Sequence, residues 1–275
     1  MTLPDIDPVA FQIGPLVIRW YALAYIAGLL LGWLYMRKLA ANARLWGALR
    51  RPTSEDLDDL LVFAALGVVV GGRLGFVLFY RPEFYFANPL EILQTWKGGM
   101  SFHGGLFGAW LAVFLFARRR GLDAFAMSDM AAVVAPLGLL FGRLANFIKG
   151  ELWGRPTDVP WAFVFPDAGP ELRHPSQLYE AGLEGLLLLI VLGVLVRRIG
   201  FARPGLLAGV FGMGYAVARF SVEFFREPDR YLGFIAGGWL TMGMALSIPM
   251  FGAALWLALR ALRSGPQTLR PENAA

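Results

Sequence analysis

The stretch APLGLLFGRLANFIKGELWGR, residues 135–155, decides how this chain is read. It opens as an apolar helix suited to hydrocarbon. It then sets Arg143 after the apolar run, with Asn146, Lys149 and Glu151 close behind. An arginine is always charged, and a charge at bilayer depth costs several kcal/mol on insertion scales, so such a residue demands a reason. Two reasons stand open from position alone. Arg143 lies late in its helix and could snorkel to the headgroups, or its planar fork of five donors could hold a phosphate or carboxylate.

The rest of the chain places this stretch in a membrane. Of 275 residues, 57% are hydrophobic and 16% charged, against about 45–50% and about 25% in soluble domains. The reading is an all-α polytopic membrane protein, one integral-membrane domain over 1–275. It is a bundle of about seven transmembrane helices near 16–36, 57–79, 102–117, 129–147, 178–196, 205–225 and 238–259. Alternating strands of about ten residues, which would signal a membrane barrel, are absent.

Basic residues collect after the first, third, fifth and seventh of these segments: Arg37, Lys38, Arg44, Arg50 and Arg51; Arg118 to Arg120; Arg197, Arg198 and Arg203; Arg260, Arg263 and Arg270. The positive-inside rule makes that side cytoplasmic and the amino terminus external. The same bias accounts for the net charge of +5, so no nucleic-acid partner is expected. On the outer side, residues 81–100 mix aromatics with the amphipathic run PLEILQTW and suit the interface plane. Residues 148–177 are expected to form a small head of turns and short strands. The polar tail 264–275 is expected to be disordered. The first residues carry acids and prolines but no basic region, unlike a cleaved signal peptide.

There is no cysteine, which rules out disulfides, iron–sulfur clusters and a cysteine nucleophile. With two histidines, His103 and His174, a zinc site would lean on carboxylates. No metal site and no cofactor are expected.

Polar residues cluster in four places. Arg143 and Asn146 share a face at i, i+3. In GVFGMGYAVARFSVEFFREPDR, residues 209–230, Tyr215, Arg219, Glu223 and Arg226 form one stripe. That stripe is either turned to a polar cavity or closed by a structural Arg219–Glu223 bridge. In WKGGMSFHGGLFG, residues 96–108, glycines flank Ser101 and His103; they read as ligand access or as close helix packing. In RHPSQLYEAGLEG, residues 173–185, Gln177, Glu180 and Glu184 share a face, as a binding stripe or as a capped packing face. Arg73, in GGRLGF at 71–76, echoes Arg143 in FGRLANF at 141–147. Arg73, Arg143 and Arg219 near one level would repel one another in a low dielectric, which implies an anionic ligand such as a lipid phosphate.

Together MSFHGG (100–105), GRLANFIKGELWGR (142–155), HPSQLYEA (174–181) and VEFFREPD (222–229), with RWYALAY (19–25) and GGRLGFVLFY (71–80), resemble the bacterial prolipoprotein diacylglyceryl transferases. The resemblance runs in order from about residue 8 to about residue 250. It implies an inner-membrane enzyme with seven spans, its amino end periplasmic and its carboxyl end cytoplasmic. Its partners would be phosphatidylglycerol, a lipoprotein precursor whose signal peptide carries a conserved cysteine, and membrane lipids. The enzyme would transfer diacylglycerol to that thiol, form a thioether and release glycerol 1-phosphate. The resemblance ties Tyr21, His103, Arg143, Asn146, Glu151, Tyr215 and Arg219 to activity. His103, Arg143, Arg219 and Tyr215 are the catalytic candidates; Tyr21, Arg73, Asn146, Glu151, Gly154 and Glu223 are the substrate-binding ones. This chain departs from the family pattern at Ala145, in place of a glycine, and Lys149, in place of an asparagine. A phospholipid transporter or flippase is the alternative class, since it too uses intramembrane arginines and Gly-broken helices. Polar residues along the full depth of a pathway would favour it, but most inner halves are plainly apolar.

Overall fold

A computed structural model describes residues 9–14, 16–228 and 233–267. The amino-terminal residues 1–8 and the tail residues 268–275, both of which carry expectations above, lie outside the described residues.

The chain is mostly helical. A hairpin of β1 (Val9–Ile13) and β2 (Leu16–Arg19) leads into α1 (Trp20–Ala41). Then come α2 (Ser54–Phe79), the short α3 (Pro82–Ala87), α4 (Phe102–Arg119) and α5 (Ala124–Lys149). An irregular segment holds β3 (Phe163–Val164) and β4 (Leu172–Arg173). Next, α6 (Ser176–Glu180) continues through a π-helical turn (Ala181–Leu187) into α7 (Leu188–Ile199), followed by α8 (Leu206–Val222) and α9 (Met242–Ser264). Among the described residues five helices are long and apolar enough to cross a membrane: α1, α2, α5, the continuous Ser176–Ile199 and α9. Helix α8 is apolar but shorter.

Local chemistry sets the helix starts. Thr53 and Asp56 form a reciprocal capping box on α2. Asp123 accepts from the amides of Phe125 and Ala126 on α5, Ser101 caps α4 and Thr241 caps α9. The expected first segment, 16–36, needs correction. Residues 16–19 pair as β2 with β1, and the helix runs instead from Trp20 to Ala41. A β-branched, apolar run next to a turn glycine is open to either structure, and pairing decided it. The expected last segment, 238–259, starts at Met242 and runs to Ser264. Of the expected loose tail, Ser264 is still helical and the Gln267 amide donates to the Ala202 carbonyl at 2.7 Å.

Two features hold the bundle in register. Helix α5 is central, with Ala126, Met127, Met130 and Val133 fully buried. Its Asp129 carboxylate accepts from the Gly205 and Ala208 amides at 2.8 and 2.7 Å, capping α8 from a neighbouring helix. Helices α2 and α4 approach backbone to backbone along Gly67, Gly71 and Gly75 against Gly104 and Gly108. A Cβ on Gly71 would lie 2.7 Å from the Gly108 Cα, and one on Gly75 at 2.7 Å from the Gly104 Cα. This is the small-residue spacing that lets membrane helices touch. Gly71→Leu is therefore expected to abolish the monodisperse folded protein in size-exclusion chromatography. Gly138→Ala, where a Cβ meets nothing within 4 Å, should leave the elution profile unchanged.

Candidate functional site

Five helical elements deliver polar side chains to one buried locus. Arg143 comes from α5, His103 from the start of α4, Glu180 and Glu184 from α6 and its π-helical continuation, and Tyr215 and Arg219 from α8. Glu223 and Arg226 follow from the turn after α8. The π-helical turn begins just after Glu180 and contains Glu184; such turns are rare and frequently mark functional sites.

Glu180 is the hub. Fully buried, it pairs with Arg143 Nε at 3.2 Å, with Arg219 Nη1 at close range and with Arg226 Nη1 at 3.8 Å. Arg219 also pairs tightly with Glu223, whose second oxygen accepts from the Thr241 hydroxyl at 2.8 Å. Arg143 reaches Glu184 at 3.4 Å. The guanidinium of Arg143 sits 5.6 Å from the Phe102 ring centre, and that ring stacks on Tyr215 at 5.1 Å. The rings of Tyr215 and His103 meet edge on at 6.3 Å. The Tyr215 hydroxyl and His103 Nε2 are buried without a hydrogen-bond partner among the described residues.

These arginines need no foreign anion to coexist, because three glutamates, 180, 184 and 223, lie among Arg143, Arg219 and Arg226. That corrects the expectation that convergence alone implies a ligand. Arg219 is held tightly on two sides. Arg143 is held more loosely: among the described residues its side-chain hydrogen bond is the 3.4 Å one to Glu184. The bridge between Arg219 and Glu223 exists as the structural reading foresaw, but as one edge of a wider network.

A second constellation lies at the carboxyl end of α5. Asn146 Nδ2 donates to Glu151 Oε1 at 2.7 Å, and Glu151 Oε2 pairs with Lys149. The Lys149 ammonium lies 5.1 Å over the Tyr21 ring. Tyr21, Asn146 and Glu151 are thus brought together.

Two candidates do not belong to either group. Arg73 donates to the carbonyls of Glu91, Ile92, Gln94, Gly98 and Gly99 at 2.6–3.3 Å. Gly98 and Gly99, at φ of 83° and 81°, form the turn that offers two of these carbonyls. The fork donates to the chain's own backbone and ties residues 91–99 to α2. Arg73→Gln is expected to speed proteolysis within 88–100 severalfold while leaving the rest of the digestion pattern unchanged. Gly154 is packed against backbone as well. Its amide donates to the His174 carbonyl at 2.9 Å, and a Cβ there would meet the His174 and Phe225 carbonyls at 2.6 Å. It is where three chain segments cross, with no room for a side chain.

His174, expected outside the helix, sits there. Its Nδ1 lies 3.1 Å from the Tyr179 hydroxyl, which accepts from Trp161 Nε1 at 2.7 Å. Partial burial lowers the pKa of His174 from its ordinary value.

Glu180, Glu184 and Arg226, though members of the polar stripes above, stand outside the catalytic and substrate-binding candidates. Their signal was present: two glutamates on one face of an otherwise apolar run, and an arginine seven positions after Arg219.

A family model described as prolipoprotein diacylglyceryl transferase matches residues 8–260. A protein from Methylocella silvestris is 60% identical over 94% of this chain and 95% of its own length. One from Rhizobium leguminosarum is 58% identical, covering 96% and 94%, and one from Agrobacterium fabrum 56%, covering 95% and 94%. All three are named phosphatidylglycerol–prolipoprotein diacylglyceryl transferase.

Proposed function

The chain belongs to the prolipoprotein diacylglyceryl transferase family, and we propose that its buried arginine–glutamate network carries the transfer chemistry. It is a membrane diacylglyceryl transferase that uses phosphatidylglycerol and a lipoprotein precursor. The acceptor atom is the sulfur of a signal-peptide cysteine. A sulfur–carbon bond forms at the glycerol carbon, and the bond from that carbon to the phosphate oxygen breaks. Glycerol 1-phosphate leaves, and the thiol proton goes to a base. This chain has no cysteine of its own, so the sulfur comes from the acceptor. In this reading the chain has seven spans in the bacterial inner membrane, its amino end periplasmic and its carboxyl end cytoplasmic, and the network works at the periplasmic leaflet with the 148–177 head and the interfacial 81–100 segment on that side.

Arg143 carries the reading. The phosphate gains a negative charge as it leaves, and a preorganised cation there stabilises the transition state more than the ground state. A loosely held guanidinium can take up that charge; Arg219, locked by Glu180 and Glu223, sets the field behind it. The Tyr215 hydroxyl and His103 Nε2 are buried polar atoms without a hydrogen-bond partner among the described residues, suited to a phosphate oxygen and a thiol proton respectively. Asn146, Glu151 and Tyr21 bind the headgroup, with Lys149 beside them. A buried ion network is seldom the most stable filling for such a space, which also favours a functional reason for it.

The test is reconstitution in phosphatidylglycerol vesicles with a cysteine-bearing signal peptide. The peptide is expected to gain the diacylglyceryl mass as glycerol 1-phosphate appears, and the Cys-to-Ser peptide to gain none. Lipid redistribution without a covalent product would instead mark a flippase. His103→Gln is expected to flatten the acid limb of the pH–rate profile; an unchanged profile removes His103 as the base.

A further inference from the structure

The turn after α5 is left-handed twice in three residues. Gly150 has φ 72°, and Leu152 has φ 58°, the one non-glycine residue with positive φ among the described residues. Side chains with a Cβ rarely adopt that conformation, and where they do, the surroundings hold them there. The Leu152 side chain does not hold it, since it is 39% exposed. The restraint comes from the carbonyls. Ser176 Oγ donates to the Leu152 carbonyl at 3.1 Å, and Gln177 Nε2 donates to the Glu151 carbonyl at 2.6 Å. Both side chains are fully buried. The Glu151 amide donates to the Asn146 carbonyl at 3.1 Å.

We propose that Ser176 and Gln177 are positioning residues: they clamp the strained Glu151–Leu152 turn so that the Glu151 carboxylate stays on Asn146 and Lys149. Released, Leu152 relaxes to an ordinary φ, the peptide plane between 151 and 152 turns, and the carboxylate leaves Asn146. The clamp does more than tie a loop. Gln177 and Glu180 lie three apart on the same helical element, so one element fixes both the headgroup edge and the depth of the hub carboxylate. This explains in physical terms why SQ precedes LYE in HPSQLYEA. The proposal rests on the reading of Asn146 and Glu151 as substrate-binding.

The experiment measures KM for phosphatidylglycerol and kcat on the folded, monodisperse fraction of each variant. Gln177→Leu is expected to raise KM about 10-fold, the loss typical of one buried hydrogen bond, with kcat changed less. Ser176→Ala should act in the same direction and more gently, and Ser176→Thr, which keeps the hydroxyl, should restore KM. In a Leu152→Gly background, where the left-handed turn is unstrained, Gln177→Leu should raise KM clearly less than in the parent. The proposal is overturned if Asn146→Ala and Glu151→Gln raise KM while the Gln177 and Ser176 variants do not, or if the Gln177 effect is equal in both backgrounds. Should Asn146→Ala and Glu151→Gln leave KM unchanged as well, the substrate-binding reading falls and the clamp proposal with it.

Discussion

Replacing Arg143 with lysine is expected to slow diacylglyceryl transfer about 100-fold or more, the usual cost of removing one preorganised charge stabiliser, with little loss of folded protein. Lysine keeps the charge and loses the fork. Arg143 addresses Glu180 through Nε at 3.2 Å and Glu184 through Nη2 at 3.4 Å, from a plane that also faces Phe102. A single ammonium cannot hold that geometry and meet a phosphate at two points. Lysine keeps a positive charge between Glu180 and Glu184, so the folded yield is expected to change little. Single-turnover labelling of the acceptor peptide measures the effect, with folded yield followed in parallel. Near-parental transfer by Arg143→Lys would remove the forked phosphate contact and with it the principal support for the mechanism.

The second large effect is expected at Glu180. Glu180→Gln preserves shape and removes the carboxylate that touches Arg143, Arg219 and Arg226. Among the carboxylates described at this site, Glu184 and Glu223 then remain beside the three guanidinium groups. Breaking a buried pair costs about 3–5 kcal/mol, a large share of the roughly 5–15 kcal/mol that stabilises a typical fold. The expected outcome is a marked fall in thermal midpoint together with loss of transfer. Glu184→Gln should cost much less, since among the described residues the ion pair of Glu184 is the one to Arg143, at 3.4 Å. Phosphatidylglycerol should raise the midpoint of Glu180→Gln more than that of the parent, because a phosphate supplies the missing negative charge. Equal midpoints for Glu180→Gln and Glu184→Gln would show that the hub geometry has no energetic meaning.

Some of the site was readable before any coordinates. A helical period places Tyr215, Arg219, Glu223 and Arg226 on one stripe, and hydrocarbon forbids such a stripe from facing lipid. The Arg143–Asn146 pair follows from the same logic. What the stripe faces was not readable, because the pairs that close the site, Arg143–Glu180, Arg219–Glu180 and Arg143–Glu184, join residues 37–41 positions apart in the chain. Arg73 shows the opposite case. By position it matched Arg143, even sharing the Gly-Arg-Leu triplet. Its partners, however, are backbone carbonyls 18–26 residues further on, and a carbonyl leaves no mark in residue identity.

Residue order by itself determined that this protein is helical, apolar and suited to a membrane, and which side chains would be costly there. Those properties depend on local period and transfer free energy, which each segment carries alone. The tertiary structure decided which cations share a carboxylate, which one is left loosely held, and that residues 16–19 pair as a strand. Those outcomes depend on distances between segments far apart in the chain, and only packing, such as the glycine contact of α2 with α4 and the capping of α8 by Asp129, sets them.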